Sequence, residues 1–99
     1  MQVIVEASEW HDVAPPFRLD VTPSETIKRV KEKYQELLYE KYWFKVDLTL
    51  YHRFVWGGGI LYDELKTLSD YNIKDGQILD LVNFESELGP EIWDRYLLH

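Results

Sequence analysis

The sequence predicts an α+β fold in which one helix packs on a mixed β-sheet. Short runs of alternating or β-branched apolar residues, typical of strands, flank a single longer segment with helical periodicity. The chain has 99 residues, of which 45% are hydrophobic. That length supports one buried core and one domain.

The first two strands are predicted near the N-terminus. Residues 3–5 form a β-branched run, and Phe17, Leu19 and Val21 alternate with polar residues. The connection between them contains a proline pair at residues 15–16. Because the two strands are close in sequence, we expect an antiparallel hairpin.

The helix is predicted to begin after Thr26, whose hydroxyl can accept a hydrogen bond from an amide of the first turn. We expect it to end near Tyr39 or Lys41. One face of this helix carries the apolar residues Ile27, Val30, Tyr34, Leu37 and Leu38.

The segment that follows is rich in aromatic and β-branched residues, and residues 42–56 predict one long strand or two short ones. The glycine triplet 57–59 ends it, residues 60–62 form a short return strand, and Asp75-Gly76 forms a tight turn. Residues 78–82 predict a final, largely buried strand. This order of elements is that of a β-grasp, a mixed sheet curled over one helix.

Four segments resemble ubiquitin. Residues 1–5 (MQVIV) resemble its first strand, residues 19–35 its second strand and helix start, and residues 78–82 its last strand. Residues 67–73 (TLSDYNI) match its loop and short helix residue for residue. The resemblance implies a ubiquitin-like domain over residues 1–84. Residues 85–99 are then a C-terminal extension, in which Gly89-Pro90 precedes a possible short helix.

The departures from ubiquitin bear on function. The positions that match its C-terminal diglycine are Glu87 and Leu88, and no Gly-Gly pair follows Gly59. We therefore expect a non-catalytic, non-conjugating module that binds other proteins. The alternatives are a covalent ubiquitin-like modifier, a ubiquitin-like subunit of an RNA–protein complex such as the spliceosome, and a subunit of a bacterial secretion system.

The resemblance also implies where a partner would bind. The apolar recognition patch of ubiquitin corresponds to Trp10, Val55 or Trp56, and Val82. A one-residue shift in alignment exchanges which of Val55 and Trp56 faces outward. Aromatic residues in the segment after the helix and in the extension are either core residues or a second contact with a partner. These are Trp43, Phe44, Trp93 and Tyr96.

Charge argues against direct nucleic-acid binding. The net charge is −7, and residues 60–99 hold three basic and nine acidic residues. A phosphate backbone would be repelled by most of such a surface. We expect protein partners, which can include proteins of the ubiquitin system, in the cytoplasm or nucleus.

No motif predicts an enzyme. The chain has no cysteine, its three histidines (11, 52 and 99) lack metal-ligand spacing, and the glycine triplet is not followed by the Lys-Ser/Thr of a phosphate-binding loop. No apolar run is long enough to span a membrane. We therefore expect no catalytic residues, metal, cofactor, small-molecule substrate or membrane partner.

Overall fold

A computed structural model describes residues 1–7, 14–45, 48 and 51–84 of the chain. Within these residues, five strands form one mixed sheet, and a single helix packs on one of its faces. The elements, in chain order, are β1 (Gln2–Glu6), β2 (Phe17–Asp20), α1 (Ile27–Tyr42), β3 (His52–Trp56), β4 (Gly59–Ile60) and β5 (Ile78–Asn83).

The strand order in the sheet is β2-β1-β5-β3-β4. β1 and β2 form the predicted antiparallel hairpin, with Val3 opposite Leu19. β1 also pairs in parallel with β5, and β5 pairs antiparallel with β3. A mixed sheet of this order under one helix confirms the predicted α+β, ubiquitin-like β-grasp fold.

Helix α1 begins at the predicted cap. The Thr26 hydroxyl oxygen accepts a hydrogen bond from the Arg29 amide at 3.1 Å. The two preceding amides of the first turn have no partner within the helix. The Ile27 amide donates to the Lys66 carbonyl oxygen at 3.0 Å, and the Lys28 amide donates to the Glu64 carbonyl oxygen at 2.9 Å. The segment before β5 is thereby tied to the start of the helix, and the amides that every helix start leaves unsatisfied are paired.

The helix ends at Tyr42, close to the predicted end, because Trp43 takes up a left-handed conformation with a φ of 56°. The amides of Trp43 and Phe44 donate to the carbonyl oxygens of Tyr39 and Leu38 at 3.0 and 3.3 Å. Glycine usually occupies such a position, since a Cβ atom makes it costly.

The core lies between α1 and one face of the sheet. α1 contributes the apolar residues of its predicted face, and each central strand contributes alternate residues. The fully buried side chains include Val3, Val5, Ile27, Val30, Tyr34, Leu38, Leu48, Phe54, Leu68, Leu79 and Leu81. The apolar face of the helix therefore packs against the alternate strand residues that point toward it.

One charged side chain, that of Lys31, is buried at the edge of this core with 3% of its surface exposed. Its Nζ atom donates to the His52 carbonyl oxygen at 2.9 Å and forms an ion pair with the Glu64 carboxylate. Arg53 approaches the same carboxylate, with Nη1 3.9 Å from Oε1. This cluster joins α1, β3 and the segment before β5, and its partners offset the cost of burying the lysine charge.

Two predicted strands differ from the structure. The prediction of one or two strands over residues 42–56 is wrong in part, because Tyr42 ends the helix and the described strand covers only His52–Trp56. The prediction that the last strand is largely buried is also wrong. β5 alternates instead, with Leu79 and Leu81 in the core and Ile78 47% exposed.

The turn between β3 and β4 is a two-residue hairpin in which Trp56 pairs with Gly59. Gly57 and Gly58 both have positive φ angles, 62° and 82°. A type I′ turn requires positive φ at both central positions, and glycine adopts it without strain. The glycine triplet therefore acts as the predicted hairpin turn.

Candidate functional site

The face of the sheet that points away from α1 is the outer face, and the strand register defines it. Phe54 pairs with Leu81, and both point into the core. The neighbouring pair, Val55 and Asp80, must therefore point to the opposite side, since successive side chains alternate across a sheet. The residues of this face on the three central strands are Gln2, Ile4, Glu6, Arg53, Val55, Ile78, Asp80 and Val82.

The outer face carries a group of apolar side chains. Val82 lies opposite Arg53 and diagonal to Val55, while Ile78 lies opposite Ile4 on β1. Ile78 is 47% exposed, Ile4 and Val82 are partly exposed, and Val55 is 8% exposed. Although Val55 is buried, it does not belong to the main core cluster. That separation agrees with its position on the outer face.

Two carboxylates lie among these apolar side chains. Glu6 and Asp80 are paired across the parallel strands β1 and β5. Their Cα atoms are therefore about 5 Å apart, and both side chains point to the same face. No ion pair within 4.0 Å links either carboxylate to a basic side chain in the described part of the chain.

The structure separates the predicted patch residues. Val55 and Val82 share the outer face, whereas Trp56 lies on the same side as Phe54 and packs, partly buried, against the core. Val55 is thus the outward residue of the two that the alignment left open. Trp10 lies outside the described residues, so its placement stays a prediction.

The structure also separates the predicted secondary residues. Trp43 is 80% exposed, whereas Phe44 packs against the core. The Trp43 ring stands edge-on to the half-exposed ring of Tyr39, with the ring centroids 5.9 Å apart. These two residues form an aromatic ridge at the C-terminal end of α1. Trp93 and Tyr96 lie outside the described residues.

Sequence reasoning missed most of the outer face, including its apolar residues Ile4 and Ile78 and its acidic residues Glu6 and Asp80. The signal for Ile78 and Asp80 was present, because residues 78–82 alternate around the buried Leu79 and Leu81. Nothing in the local sequence indicates that Glu6 meets Asp80. That contact depends on the parallel register of two strands more than seventy residues apart.

Neither a metal site nor a membrane-spanning helix is present in the described part of the chain. Across residues 1–7, 14–45, 48 and 51–84, no group of three histidine or acidic side chains is placed to hold a metal ion. No helix in this part of the chain is long and apolar enough to cross a bilayer.

Comparison with known proteins agrees with the fold. The family model for the ubiquitin family matches residues 16–83, about two thirds of the chain. A search of curated proteins found no match. The matched region runs from β2 to the end of β5 and contains the helix, the hairpin of β3 and β4, and two of the three central strands. The chain therefore belongs to the ubiquitin family.

Proposed function

We propose that the protein is a non-catalytic binding module that contacts a partner protein through the outer face of its sheet. The observation that carries this proposal is the grouping of Val55, Val82 and Ile78 on the face that α1 does not cover. Ubiquitin-family membership favours the same face, since the family resemblance implied Val55 and Val82 as patch residues. We further propose that this interaction takes place in the cytoplasm or nucleus.

Burial of this group against a partner would supply the binding free energy. Removing apolar surface from water contributes roughly 25 cal/mol per Å². Anchors near the centre of an interface contribute more than residues at its rim. Val82 and Ile78 both lie on β5, the middle strand of the sheet, and both are at least partly exposed. We therefore place the anchor at these two residues, while Val55, which is 8% exposed, can add little contact area.

We propose the aromatic ridge of Tyr39 and Trp43 as a second contact surface. A tryptophan that is 80% exposed contributes little to the core, yet it occupies a left-handed position that glycine would fill at lower cost. Tryptophan and tyrosine are also the residue types most enriched among binding hot spots. The ridge lies on the helix, so it would contact a partner independently of the outer face.

The experiment is a quantitative affinity capture from cell extract with three forms of the immobilised protein: wild type, Val82→Asp and Leu65→Asp. Val82→Asp places a charge in the apolar group. Leu65→Asp is the matched control, because Leu65 is 77% exposed and lies beside α1, away from the outer face. Bound proteins are identified by mass spectrometry, and each captured protein is then purified and its affinity for the three forms measured.

We expect at least one purified partner whose affinity falls at least tenfold with Val82→Asp and is unchanged with Leu65→Asp. Partners that bind all three forms equally would refute the outer-face proposal. A Trp43→Gly variant in the same series tests the ridge separately. Adducts of the wild type that resist denaturing electrophoresis would instead identify a covalent modifier.

A further inference from the structure

The acidic side chains of the outer face indicate which kind of partner it fits. In one row across the sheet, Ile60 pairs with Val55, Val55 with Asp80, and Asp80 with Glu6. Along β5, Asp80 has Ile78 on one side and Val82 on the other. Apolar side chains therefore border this pair along β5, on its β3 side and at Ile4 of β1, whereas Glu6 is the last residue of β1.

Two arginines of the described residues share the outer face, and neither forms an ion pair with Glu6 or Asp80. Arg53 shares the outer face, but its Nη1 atom donates to the His52 carbonyl oxygen at 3.0 Å and approaches Glu64. Arg18 on β2 lies opposite Ile4, two positions along β1 from Glu6, and makes no ion pair within 4.0 Å with a described residue. Among the described residues, the acidic pair therefore has no basic side chain within ion-pair distance.

Like charges directly opposite each other on neighbouring strands destabilise a sheet. A cation from a partner would relieve this repulsion and at the same time replace the water that the carboxylates lose on binding. Arginine is suited to this role because its planar guanidinium group can donate to two carboxylates at once. The acidic pair therefore favours a basic partner, which would both relieve the repulsion and replace the lost water.

We infer that the outer face binds a basic, amphipathic segment of a partner protein, with an arginine or lysine over Glu6 and Asp80 and apolar side chains against the surrounding border. This inference rests on the proposed function and specifies the partner for the same surface. The spacing fits such a segment, since residues two apart on β5 are about 6.7 Å apart. Apolar, acidic and apolar side chains at that spacing match apolar, basic and apolar side chains on the partner.

The test selects binders from a random peptide display library on four forms of the full chain. These are wild type, the double variant Glu6→Gln/Asp80→Asn, the double variant Glu36→Gln/Glu40→Gln, and Val82→Asp. The second double variant is the matched control, because it removes the same charge from exposed positions of α1. A thermal melt of each form accompanies the selection, and Glu6→Gln/Asp80→Asn is expected to melt no lower than wild type.

On wild type and on the helix control, we expect peptides in which a basic residue lies between apolar residues. The affinity of such a peptide for Glu6→Gln/Asp80→Asn should be weaker by roughly tenfold or more, since hydrogen bonds to charged groups are the strong ones. For wild type, the affinity should also fall as salt is added. Three outcomes would each overturn the inference. The peptides selected on wild type could lack a basic residue, the same peptides could be selected on Glu6→Gln/Asp80→Asn, or no peptide could be enriched on wild type.

The Val82→Asp arm separates this inference from the proposed function. Selected peptides that no longer bind Val82→Asp, but that show no preference for a basic residue, would support the outer face as a binding surface. They would refute only the inference of a basic partner. Peptides that bind Val82→Asp as well as wild type would refute the outer face itself, and the inference with it.

Discussion

Tyr34 offers a sharp test of the core, because its hydroxyl group is buried without compensation. The side chain is fully buried, and its ring stands edge-on to Phe17 with the centroids 6.5 Å apart. The Oη atom has no hydrogen-bond partner within the described structure. An unsatisfied buried hydroxyl costs roughly 1–3 kcal/mol. Tyr34→Phe keeps the ring, and we expect it to raise the free energy of unfolding by about 1 kcal/mol at neutral pH.

The same burial predicts a pH dependence. Burial, with a smaller contribution from Tyr42, raises the pKa of Tyr34 from 10.0 to about 12. The folded protein therefore holds the phenol neutral at a pH where the unfolded chain ionises. Stability from this group is complete below pH 10 and is lost as the pH rises through 12. At pH 11 the loss is roughly 1 kcal/mol, and Tyr34→Phe should not show it.

The assay is urea unfolding followed by tryptophan fluorescence at pH 7 and pH 11. The difference in unfolding free energy between Tyr34→Phe and wild type should grow by roughly 1 kcal/mol between the two pH values. Tyr39→Phe, which removes a hydroxyl from a half-exposed ring, should lie within about 0.5 kcal/mol of wild type at pH 7. A loss of 1 kcal/mol or more for Tyr34→Phe at pH 7 would mean that the hydroxyl has a partner and would refute this reasoning.

Three further predictions concern the helix. Thr26→Ala should lower the unfolding free energy by about 1 kcal/mol through loss of the N-cap, and an unchanged urea midpoint would contradict that role. Trp43→Gly should be more stable than Trp43→Ala by about 1 kcal/mol in thermal melts, because glycine alone relieves the left-handed strain; equal stability would argue against strain. Burial alone would raise the pKa of Glu25, but Lys33 and the Thr22 amide outweigh it and lower the pKa below 4.5. The stabilisation by Glu25 is therefore present above pH 4.5 and lost as the pH falls below it, and acid titration of Glu25→Gln should show a shallower fall than wild type.

Much of the fold could be predicted because its signals are local. The cap at Thr26, the turns at Gly57-Gly58 and Asp75-Gly76, and the apolar stripe of α1 are each determined by a few neighbouring residues. The family model matches the same region. The boundary after the helix was less predictable, because a left-handed residue at Trp43 is unusual for a tryptophan and gives no sequence signal.

The candidate site was less predictable than the fold because it depends on register. Val55 and Trp56 differ by one position, and only the pairing of Phe54 with Leu81 determines which of them points outward. The last strand looked buried because Ile78 and Val82 are apolar although they lie on the outer face. Local patterns cannot distinguish an apolar residue that serves the core from one that serves a surface.

The parallel pairing of β1 with β5 has a consequence for how the protein is made. The two halves of the sheet, β2-β1 and β3-β4, are joined only through β5, which spans residues 78–83. Synthesis proceeds from the N-terminus, so every other described element leaves the ribosome before the strand that joins the sheet. Until then each half is a two-stranded ribbon, which is marginally stable in water and presents unpaired edges. Folding must therefore complete late in synthesis or after it, and premature termination before residue 78 should yield an aggregation-prone fragment that the cell's proteases remove.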